Sequence, residues 1–488
     1  MAAGLDALIL FRDEHLLAVN KPSGINTHKP DRFAPDGIHE FLSRRHGALS
    51  VLHRLDKETS GVLVFGRTRA ANQSLSKQFE THAVRKSYLL LSATRPSRVN
   101  FCAKNVRLKG HEETEFQYLE PHGEFFLVQA RPLTGKTHQI RRHAAENGFP
   151  ILGDTEYGGE PASRLMLHAH RLSFAHPQTG ETVTLEASVP AAFENDDALT
   201  AAREFRELIF GEETNAFRLI SGAADGFPDV IVDSYDGRLL AQWQTESVDA
   251  ALYDRLGSSI YEQVCTKQKR TTTRCVHGEA ETRFAVRENG LTFLVGFGEG
   301  LSTGLFMDQR ENRWRLLQMN LRGKSVLNTF AYTCAFSVAA AKVGAATTSV
   351  DLSRNYLDWG KENFRANNLP VDGHEFLSGD VFEWFKRFAK RGRRWDVVIL
   401  DPPTFSTTKE GRRFQAERDY DALAAQAAAL VAPGGTLFCS TNQRTLSPER
   451  FEEAIRRCGR QISALEFATV PWDFREASYL KTLWARLD

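Results

Sequence analysis

At 488 residues the chain is too long for a single hydrophobic core, and two or three domains are expected. It is 42% hydrophobic and 25% charged, as ordinary globular domains are. Lys+Arg 62 against Asp+Glu 61 leaves a formal charge of +1, so nucleic-acid contact must come from local basic patches and not from a global positive field.

The N-terminus, MAAGLDALILFRDEH, has no basic n-region and turns charged before an apolar h-region is complete. Residues 8–11 and 16–20 are strand-like runs, and Lys21-Pro22-Ser23-Gly24 ends the second in a turn. VLHRLDKETSG at 51–61 lies between two further apolar runs. Asp56, with Thr59 and Ser60 beside it, can be read simply as a turn residue. Residues 70–83 have helical spacing at Ala71, Leu75, Phe79 and Ala83. Residues 86–91 and 125–130 return to strand. GKTHQIRRH at 135–143 starts at a turn and runs into a helix ending near Asn147-Gly148. Residues 164–174 and 182–189 close a strand-rich region.

Five motifs in this order resemble the RluA type of RNA pseudouridine synthase: NKPSG (20–24), HRLDKETSG (53–61), RKSY (85–88), GKTHQIRRHAAENGFPILGD (135–154) and RLMLHA (164–169). The resemblance covers roughly residues 8–190 and sets a first domain at 1–198. It implies a mixed, largely antiparallel sheet with helices outside it, and isomerisation of uridine without a cofactor. Breaking the N-glycosidic bond, turning the base and joining C5 to the sugar needs a carboxylate acting as nucleophile or base. By resemblance Asp56 is that carboxylate, and Arg141 the cation paired with it that holds it ionised. Tyr88 is the tyrosine beneath the base, and Arg54 fills the space left by the flipped nucleotide. Taken alone, Arg54 reads as a phosphate contact or salt bridge and Tyr88 as a half-buried strand aromatic. His53, His138 and His143 are read as structural, because the family chemistry does not use them.

Residues 190–199 (PAAFENDDAL) are acidic and loop-like, a linker by composition, and 200–210 looks helical. Strand, Gly/Pro turn and strand follow over 214–243, and 249–263 has helical spacing. The middle part, 199–295, resembles the small α+β domain that precedes the catalytic domain in RlmI-type rRNA methyltransferases; scaffold and RNA grip are equal readings of it. The basic runs KQKRTTTR (267–274) and KRFAKRGRR (386–394) are expected as solvated loop or helix end ahead of an RNA groove.

Asn289-Gly290 between 284–288 and 291–296 predicts a hairpin, and 308–321 a helix. Strands at 325–329, 347–351, 375–377, 396–400 and 436–439 then alternate with helices at 336–342, 354–367, 381–390 and 419–431. Residues 465–470 and 479–485 would be the final strands. This alternation predicts a mostly parallel sheet with ligands at the carboxyl ends of its strands. Asn328, Thr329, Phe330, Asp351, Asp380 and Asp401-Pro402-Pro403 fall there. An acid ending the second strand suits a ribose diol, and Asp380 follows the third, where adenine would sit. Helix capping explains Asp351 and Asp380 equally well.

TGLFMDQRENR (303–313), VLNTFAYT (326–333), SVDLSRNYLDWGKENFRANNL (349–369) and DVVILDPPTFS (396–406) resemble a class I S-adenosylmethionine methyltransferase of the RlmI/RlmK rRNA group. The domain is set at 296–488, with a Rossmann-like fold. The whole is then a multidomain chain, α+β followed by α/β. The resemblance implies S-adenosylmethionine as cofactor, with Asp351 on its ribose, Asp380 near its adenine and Gln309 beside it. Asn328, Thr329, Phe330 and Asp401 complete that set, and Pro402, Pro403, Phe405 and Asn442 border the target base. Cys334 follows FAYT where the family usually has Gly, which predicts an altered turn and weaker cofactor binding.

Forming 5-methylcytosine requires a thiolate to attack C6, whereas N7 of guanine needs only positioning. In GGTLFCSTNQR (434–444), Ser440, Asn442 and Arg444 match the guanine-type enzymes. Thr441 stands where a catalytic cysteine would be, and Cys439 lies two residues too early. N7-methylguanine is favoured, with 5-methylcytosine as the alternative. The six cysteines show no CxxC and no zinc-like spacing, and no apolar run reaches membrane-spanning length. The expectation is a cytoplasmic enzyme with two sites acting on RNA, rRNA and its 23S molecule favoured, without metal or membrane. The alternative is that one half is an idle RNA-binding module delivering the other. The sequence carries no signal for oligomeric state.

Overall fold

Short apolar runs broken by Gly, Pro and Asp turns become the strands of a large mixed sheet in the first part of the chain. The structure, a computed structural model, describes residues 6–107, 110–257, 259–298, 302–407, 413–468, 470–475 and 479–488. Two compact units divide the chain: Met1–Glu212 with Ala223–Pro228, and Glu213–Gly222 with Asp229–Asp488.

In the first unit, β1 (Ile9–Arg12), β2 (Leu16–Lys21), β3 (Ser50–Val51), β4 (Ser60–Gly66) and β5 (Arg85–Ser92) are joined by β6 (Asn100–Arg107), β7 (Gly110–His122), β8 (Phe125–Pro132), β9 (Leu167–Ala175) and β10 (Thr182–Glu186). They form a ten-stranded sheet in the order β1-β2-β4-β9-β5-β8-β7-β6, with β3 on β4 and β10 on β9. Pairing is antiparallel except where β4 meets β9. β4 is buried throughout, so it reads as a continuous apolar run and not as an alternation. Helices α1 (Ile38–His46), α2 (Arg69–Glu80), α3 (Gln139–Glu146) and α4 (Ala198–Ile209) accompany it. Thr68 caps α2 by accepting the Ala71 N–H, and Ala71 and Leu75 of that helix enter a core with Leu16, Val64 and Phe174. The sequence reading missed α1, β6 and β7. β7 carries charges along GHEETEFQYLEPH and is a strand because it is paired on both sides, by β6 and by β8.

The acidic 190–199 stretch is more ordered than a linker. Ala192 and Phe193 are buried, and Asp197 caps α4 by accepting the Thr200 N–H. Arg206 of α4 forms a buried bidentate pair with Asp225, which ties residues 223–228 to this unit.

In the second unit, β11 (Ala216–Ser221), β12 (Val230–Tyr235), β13 (Arg238–Trp243), β14 (Ile260–Val264) and β15 (Arg274–His277) form a five-stranded sheet in that order. Residues 249–263 are not one helix. The short α5 (Ala251–Leu256) ends at Gly257, whose φ of 142° leaves helical space, and the chain then pairs with β13 as β14. β16 (Phe284–Glu288) and β17 (Leu291–Val295) make the expected hairpin; φ is positive at both Asn289 and Gly290, as a type I′ turn requires.

A seven-stranded sheet follows. Its strands are β18 (Ser325–Thr329), β19 (Ala346–Asp351), β20 (Glu375–Ser378), β21 (Trp395–Leu400) and, after the separate pair β22 (Phe405–Thr407) and β23 (Arg413–Gln415), β24 (Val431–Thr441), β25 (Ile462–Ala468) and β26 (Lys481–Leu487). The order is β20-β19-β18-β21-β24-β26-β25, parallel but for the pairings of β26. Its helices are α6 (Arg310–Gln318), α7 (Ala335–Lys342), α8 (Arg354–Ala366), α9 (Val381–Lys390), α10 (Ala416–Ala428) and α11 (Pro448–Arg456). The strand order runs outward from β18 to β20 and then resumes at β21 on the other side. That reversal opens a crevice at the carboxyl ends of β18 and β21. Buried pairs Arg313–Glu288 and Arg310–Asp473 hold α6 within the unit.

Candidate active sites

Asp56 lies in the loop between β3 and β4, and the NKPSG turn grips the backbone of that loop. Lys21, fully buried, donates through Nζ to the carbonyls of Pro22, Ile25 and Lys57 at 2.9, 2.7 and 3.0 Å. Gly24 N–H donates to the Lys57 carbonyl at 2.8 Å and Ser23 Oγ to that of Glu58 at 2.6 Å. Thr27 Oγ1 accepts the Leu55 N–H at 3.1 Å and donates to the Leu55 carbonyl at 2.9 Å. These contacts explain why two motifs far apart in the chain work together. Gly61 closes the loop with φ 117°, and a Cβ there would lie 2.3 Å from the Ala169 carbonyl oxygen on β9, so the strands can meet only at a glycine.

A cavity of about 660 Å³ opens above this loop, with Arg54, Asp56, Tyr88, His138 and Arg141 in its lining. Burial raises the Asp56 carboxyl above its usual range, opposed by the charges of His138 and then Arg141. Arg141 does not pair directly with Asp56 as the sequence reading expected. Its guanidinium forms a bidentate pair with Asp154 at 2.7 Å, from Nε and from Nη2, and Nη2 reaches Glu156 at 2.9 Å. Helix α3 and the turn after it carry both ends of that pair, so it forms within one motif, and Arg141 acts on Asp56 through its field. Burial, and then the charge of Asp56, push the Tyr88 hydroxyl well above its ordinary range. Arg54 is exposed at the rim and donates to Thr137 Oγ1 at 3.2 Å.

The three histidines separate. His53 Nε2 accepts the Val64 N–H, its ring stacks on Phe79 with centroids 4.7 Å apart, and burial pushes it down to about 3. His143 is buried with Nδ1 3.0 Å from Thr114 Oγ1. His53 also lines the cavity, but it is His138 that meets Asp56, with Nε2 4.0 Å from Oδ1. Its place at a turn just before a helix was the only signal in the sequence.

A second cavity of about 660 Å³ opens at the strand ends of the seven-stranded sheet. Asn328 lines it and donates through Nδ2 to Ser337 Oγ at 2.9 Å. In the loop that follows, alternate residues Phe330, Tyr332 and Cys334 are left-handed, with φ of 55°, 48° and 62°. Asp351 accepts the N–H groups of Tyr332 and Ser353, each at 2.8 Å, while the cap of α8 is the Ser353 hydroxyl. Capping therefore does not account for Asp351, whose carboxyl burial raises. Asp380 does cap α9, accepting the Phe382 N–H at 3.0 Å, and lines the cavity as well. Thr329 does not line it: its Oγ1 donates to the Ile399 carbonyl at 2.7 Å, turned into the sheet.

Gln309 Nε2 donates to Ser440 Oγ at 2.7 Å and lies 3.3 Å from both oxygens of Asp401. Burial raises the Asp401 carboxyl to about 6, and the carboxylate of Asp308 adds to that. Pro402, Pro403 and Asn442 also line the cavity, and Asn442 accepts a hydrogen bond from Thr404 Oγ1. The side chain of Phe405 lies outside the described residues. Carboxyls at Asp351, Asp380 and Asp401 beside the apolar walls of Phe330, Val381 and Phe382 fit a cationic nucleoside with a free diol.

Cys334 keeps the tight turn that the sequence reading expected it to alter. It adopts the left-handed conformation of a glycine, φ 62° and ψ 27°, at the start of α7. Its thiol occupies room left by Gly360 on α8, where a Cβ would lie 2.4 Å from Sγ, and burial pushes it up to about 12. Cys439 is fully buried within β24, and burial holds its thiol well above the ordinary range. All six cysteines are described and none lines the cavity. Neither basic run lines either cavity. Residues 386–394 lead into the amino end of β21, away from the strand ends that form the site, and Arg274 pairs with Glu262. Among the described residues no group of three His, Cys, Asp or Glu is placed to hold a metal ion, and no helix is long and apolar enough to cross a membrane.

Two family models match: RNA pseudouridylate synthase over residues 15–146 and S-adenosylmethionine-dependent methyltransferase over residues 244–486. YwbD of Bacillus subtilis, by name a ribosomal RNA large subunit methyltransferase, is 36% identical over 311 residues, which cover 58% of this chain and 78% of that relative. Ribosomal RNA large subunit methyltransferase K/L of Psychrobacter arcticus is 45% identical over 172 residues, covering 34% of this chain and 22% of that relative. The crystal structure of SMU.776 complexed with S-adenosylhomocysteine is similar with a TM-score of 0.54 and 28% identity, covering 64% of this chain and 87% of that one.

Proposed function

Because the chain belongs to the S-adenosylmethionine-dependent methyltransferase family and carries an RNA pseudouridylate synthase domain in its first part, we propose that it modifies ribosomal RNA at two sites. The first unit isomerises uridine; the second methylates N7 of guanine. Ribosomal RNA is taken from the names of the relatives, and it makes the cytoplasm the place of action.

The first half rests on Asp56 facing Tyr88, His138 and Arg141 across one cavity. In the reaction the C1′–N1 bond breaks, C5 joins C1′, the C5 proton leaves and N1 takes up a proton. Asp56 supplies the carboxylate as nucleophile or base, and the positive field of His138 and Arg141 favours its ionised form. Tyr88 keeps its proton at neutral pH, so it stacks or donates and does not serve as a base. Arg54, at the rim, would fill the space left by the flipped nucleotide.

In the second half, bound S-adenosylmethionine supplies an electrophilic methyl group. Asp351 would hold its ribose and Asp380 would lie by its adenine, with Asn328 and Phe330 along the cavity wall. Gln309 and Asp401 would lie beside the cofactor, and Pro402, Pro403 and Asn442 would border the base. N7 of guanine carries its own lone pair and needs only orientation. C5 of cytosine would need a thiolate near C6. The absence of any cysteine from the cavity lining supports the N7 reading.

The test is to treat unmodified rRNA with the purified protein, with and without S-adenosylmethionine, and to map both products. Asp56→Ala should abolish pseudouridine and leave methylation intact. Cys439→Ala should leave methylation intact. A 5-methylcytosine product, or loss of methylation in Cys439→Ala with cofactor still bound, would overturn the N7 assignment. No heat of binding with S-adenosylmethionine would make the second unit a delivery module.

A further inference from the structure

We propose that His138 is a positioning residue for Asp56, an imidazolium that keeps the carboxylate ionised and aimed without occupying it. This deepens the assignment of the first unit as an active pseudouridine synthase and rests on it.

The backbone gives the first reason. His138 has φ 54° and ψ 23°, a left-handed conformation that residues with side chains rarely adopt. Such strain persists where surrounding contacts hold it and gathers at functional sites. The imidazole does not serve the helix, because it makes no capping bond to α3. The strained turn instead aims the ring into the cavity.

The ring gives the second reason. Nε2 lies 4.0 Å from Asp56 Oδ1, and Nδ1 lies 3.6 Å from Glu156 Oε1 and 3.1 Å from the Tyr157 hydroxyl. A carboxylate oxygen thus lies within 4.0 Å of each ring nitrogen, so the ring faces an acid on both sides. The other charged groups acting on Asp56 are Arg141, Glu58 and Lys21. Arg141 is matched by Asp154 and Glu156, and Lys21 points its ammonium at peptide carbonyls. Among the described residues the ion-pair contact of Asp56 is with His138. At 4.0 Å the contact is too long for a hydrogen bond, so the carboxylate oxygens stay open to the nucleotide while the charge still favours ionisation.

The consequence is a pH profile. Without the imidazolium, burial acts on Asp56 with less opposition, and the carboxyl holds its proton to higher pH. The variant of choice is His138→Asn, because asparagine tolerates a left-handed backbone. Pseudouridine formation on unmodified rRNA is followed from pH 5 to 9 in the full chain, with methylation measured in the same sample as a check on folding. The acid limb of kcat/KM should move up by about one pH unit, so the rate falls by up to about tenfold on the acid side of the limb and rejoins the parent protein on its alkaline side. His138→Arg, which restores a cation, should return the limb toward its original position. A rate lowered equally at every pH, or an unmoved limb, overturns the proposal. A parent protein that makes no pseudouridine at any pH overturns the assignment of the unit itself, and an active parent with an unmoved limb in His138→Asn overturns the role of His138 alone.

Discussion

Replacing Gly360 by alanine puts a methyl where the structure leaves no room for one. The new Cβ would lie 2.4 Å from Cys334 Sγ and 2.8 Å from Cys334 Cβ. That cysteine is short, fully buried and held in a left-handed backbone, so it has nowhere to swing. Overpacking of this kind costs about 1–3 kcal/mol. Alanine in a helix interior gains about 1 kcal/mol over glycine. Gly360→Ala alone should therefore destabilise the second unit by about 0–2 kcal/mol. In Cys334→Gly the thiol is gone, and the nearest remaining neighbour of the new methyl is the Thr333 carbonyl carbon at 3.4 Å. There the same alanine should stabilise by up to about 1 kcal/mol, making the coupling about 1–3 kcal/mol. Cys334→Gly by itself should be near neutral: relief of left-handed strain, about 1–2 kcal/mol, offsets the loss of a small buried side chain. All seven tryptophans lie at residue 243 or later, so fluorescence-monitored denaturation reports the second unit alone. Calorimetric S-adenosylmethionine affinity on the four proteins should show the same pattern, since Cys334 ends the loop along the cavity. If the two substitutions add within about 0.3–0.5 kcal/mol, the thiol does not use the room at Gly360 and the account of the departure from glycine is wrong.

Asp401 holds its proton in the folded state up to about pH 6, against 3.8 as the ordinary value. Its stabilising contribution is therefore full below the ordinary value and is lost as pH rises through the folded one. Asp401→Asn should raise the fluorescence-monitored midpoint at pH 7.5 and leave it nearly unchanged at pH 4.5; equal shifts at both would contradict the burial argument. Lys21→Met removes three donations to backbone carbonyls. It should destabilise the first unit by about 1–3 kcal/mol and slow pseudouridine formation while methylation is unaffected; unchanged hydrogen exchange in the Asp56 loop would count against the grip of the NKPSG turn. Thr329→Val should lower stability by about 1 kcal/mol, through the lost bond to Ile399, and leave cofactor affinity as it was. A clear loss of affinity would return Thr329 to the binding site.

Local chemistry made much of both units legible. Short apolar runs, the helical spacing of Ala71, Leu75 and Phe79, and the Asn289-Gly290 turn act over a few residues, so spacing alone announced strands, helices and a hairpin. The strand–helix alternation of the last part implied a parallel sheet, and polar residues at its strand ends marked a crevice. Asp56 stood out by its motif. What the tertiary structure decided were matters of direction and partnership. Asn328 and Thr329 are neighbours at one strand end, yet one faces the cavity and the other the sheet, because adjacent side chains leave a strand on opposite sides. Asp56 and Arg141 belong to one site, but the carboxylates that hold Arg141, Asp154 and Glu156, follow it closely in the chain, and a histidine faces Asp56. Cys334 keeps a glycine's turn because a glycine on another helix leaves it room. Strand β7 and the break at Gly257 depend on pairing with segments elsewhere in the chain. Sequence determined which residues were available to each site; only the packing of distant segments determined which way they point and what they meet, since burial and side-chain direction are properties of the neighbours and not of the residue alone.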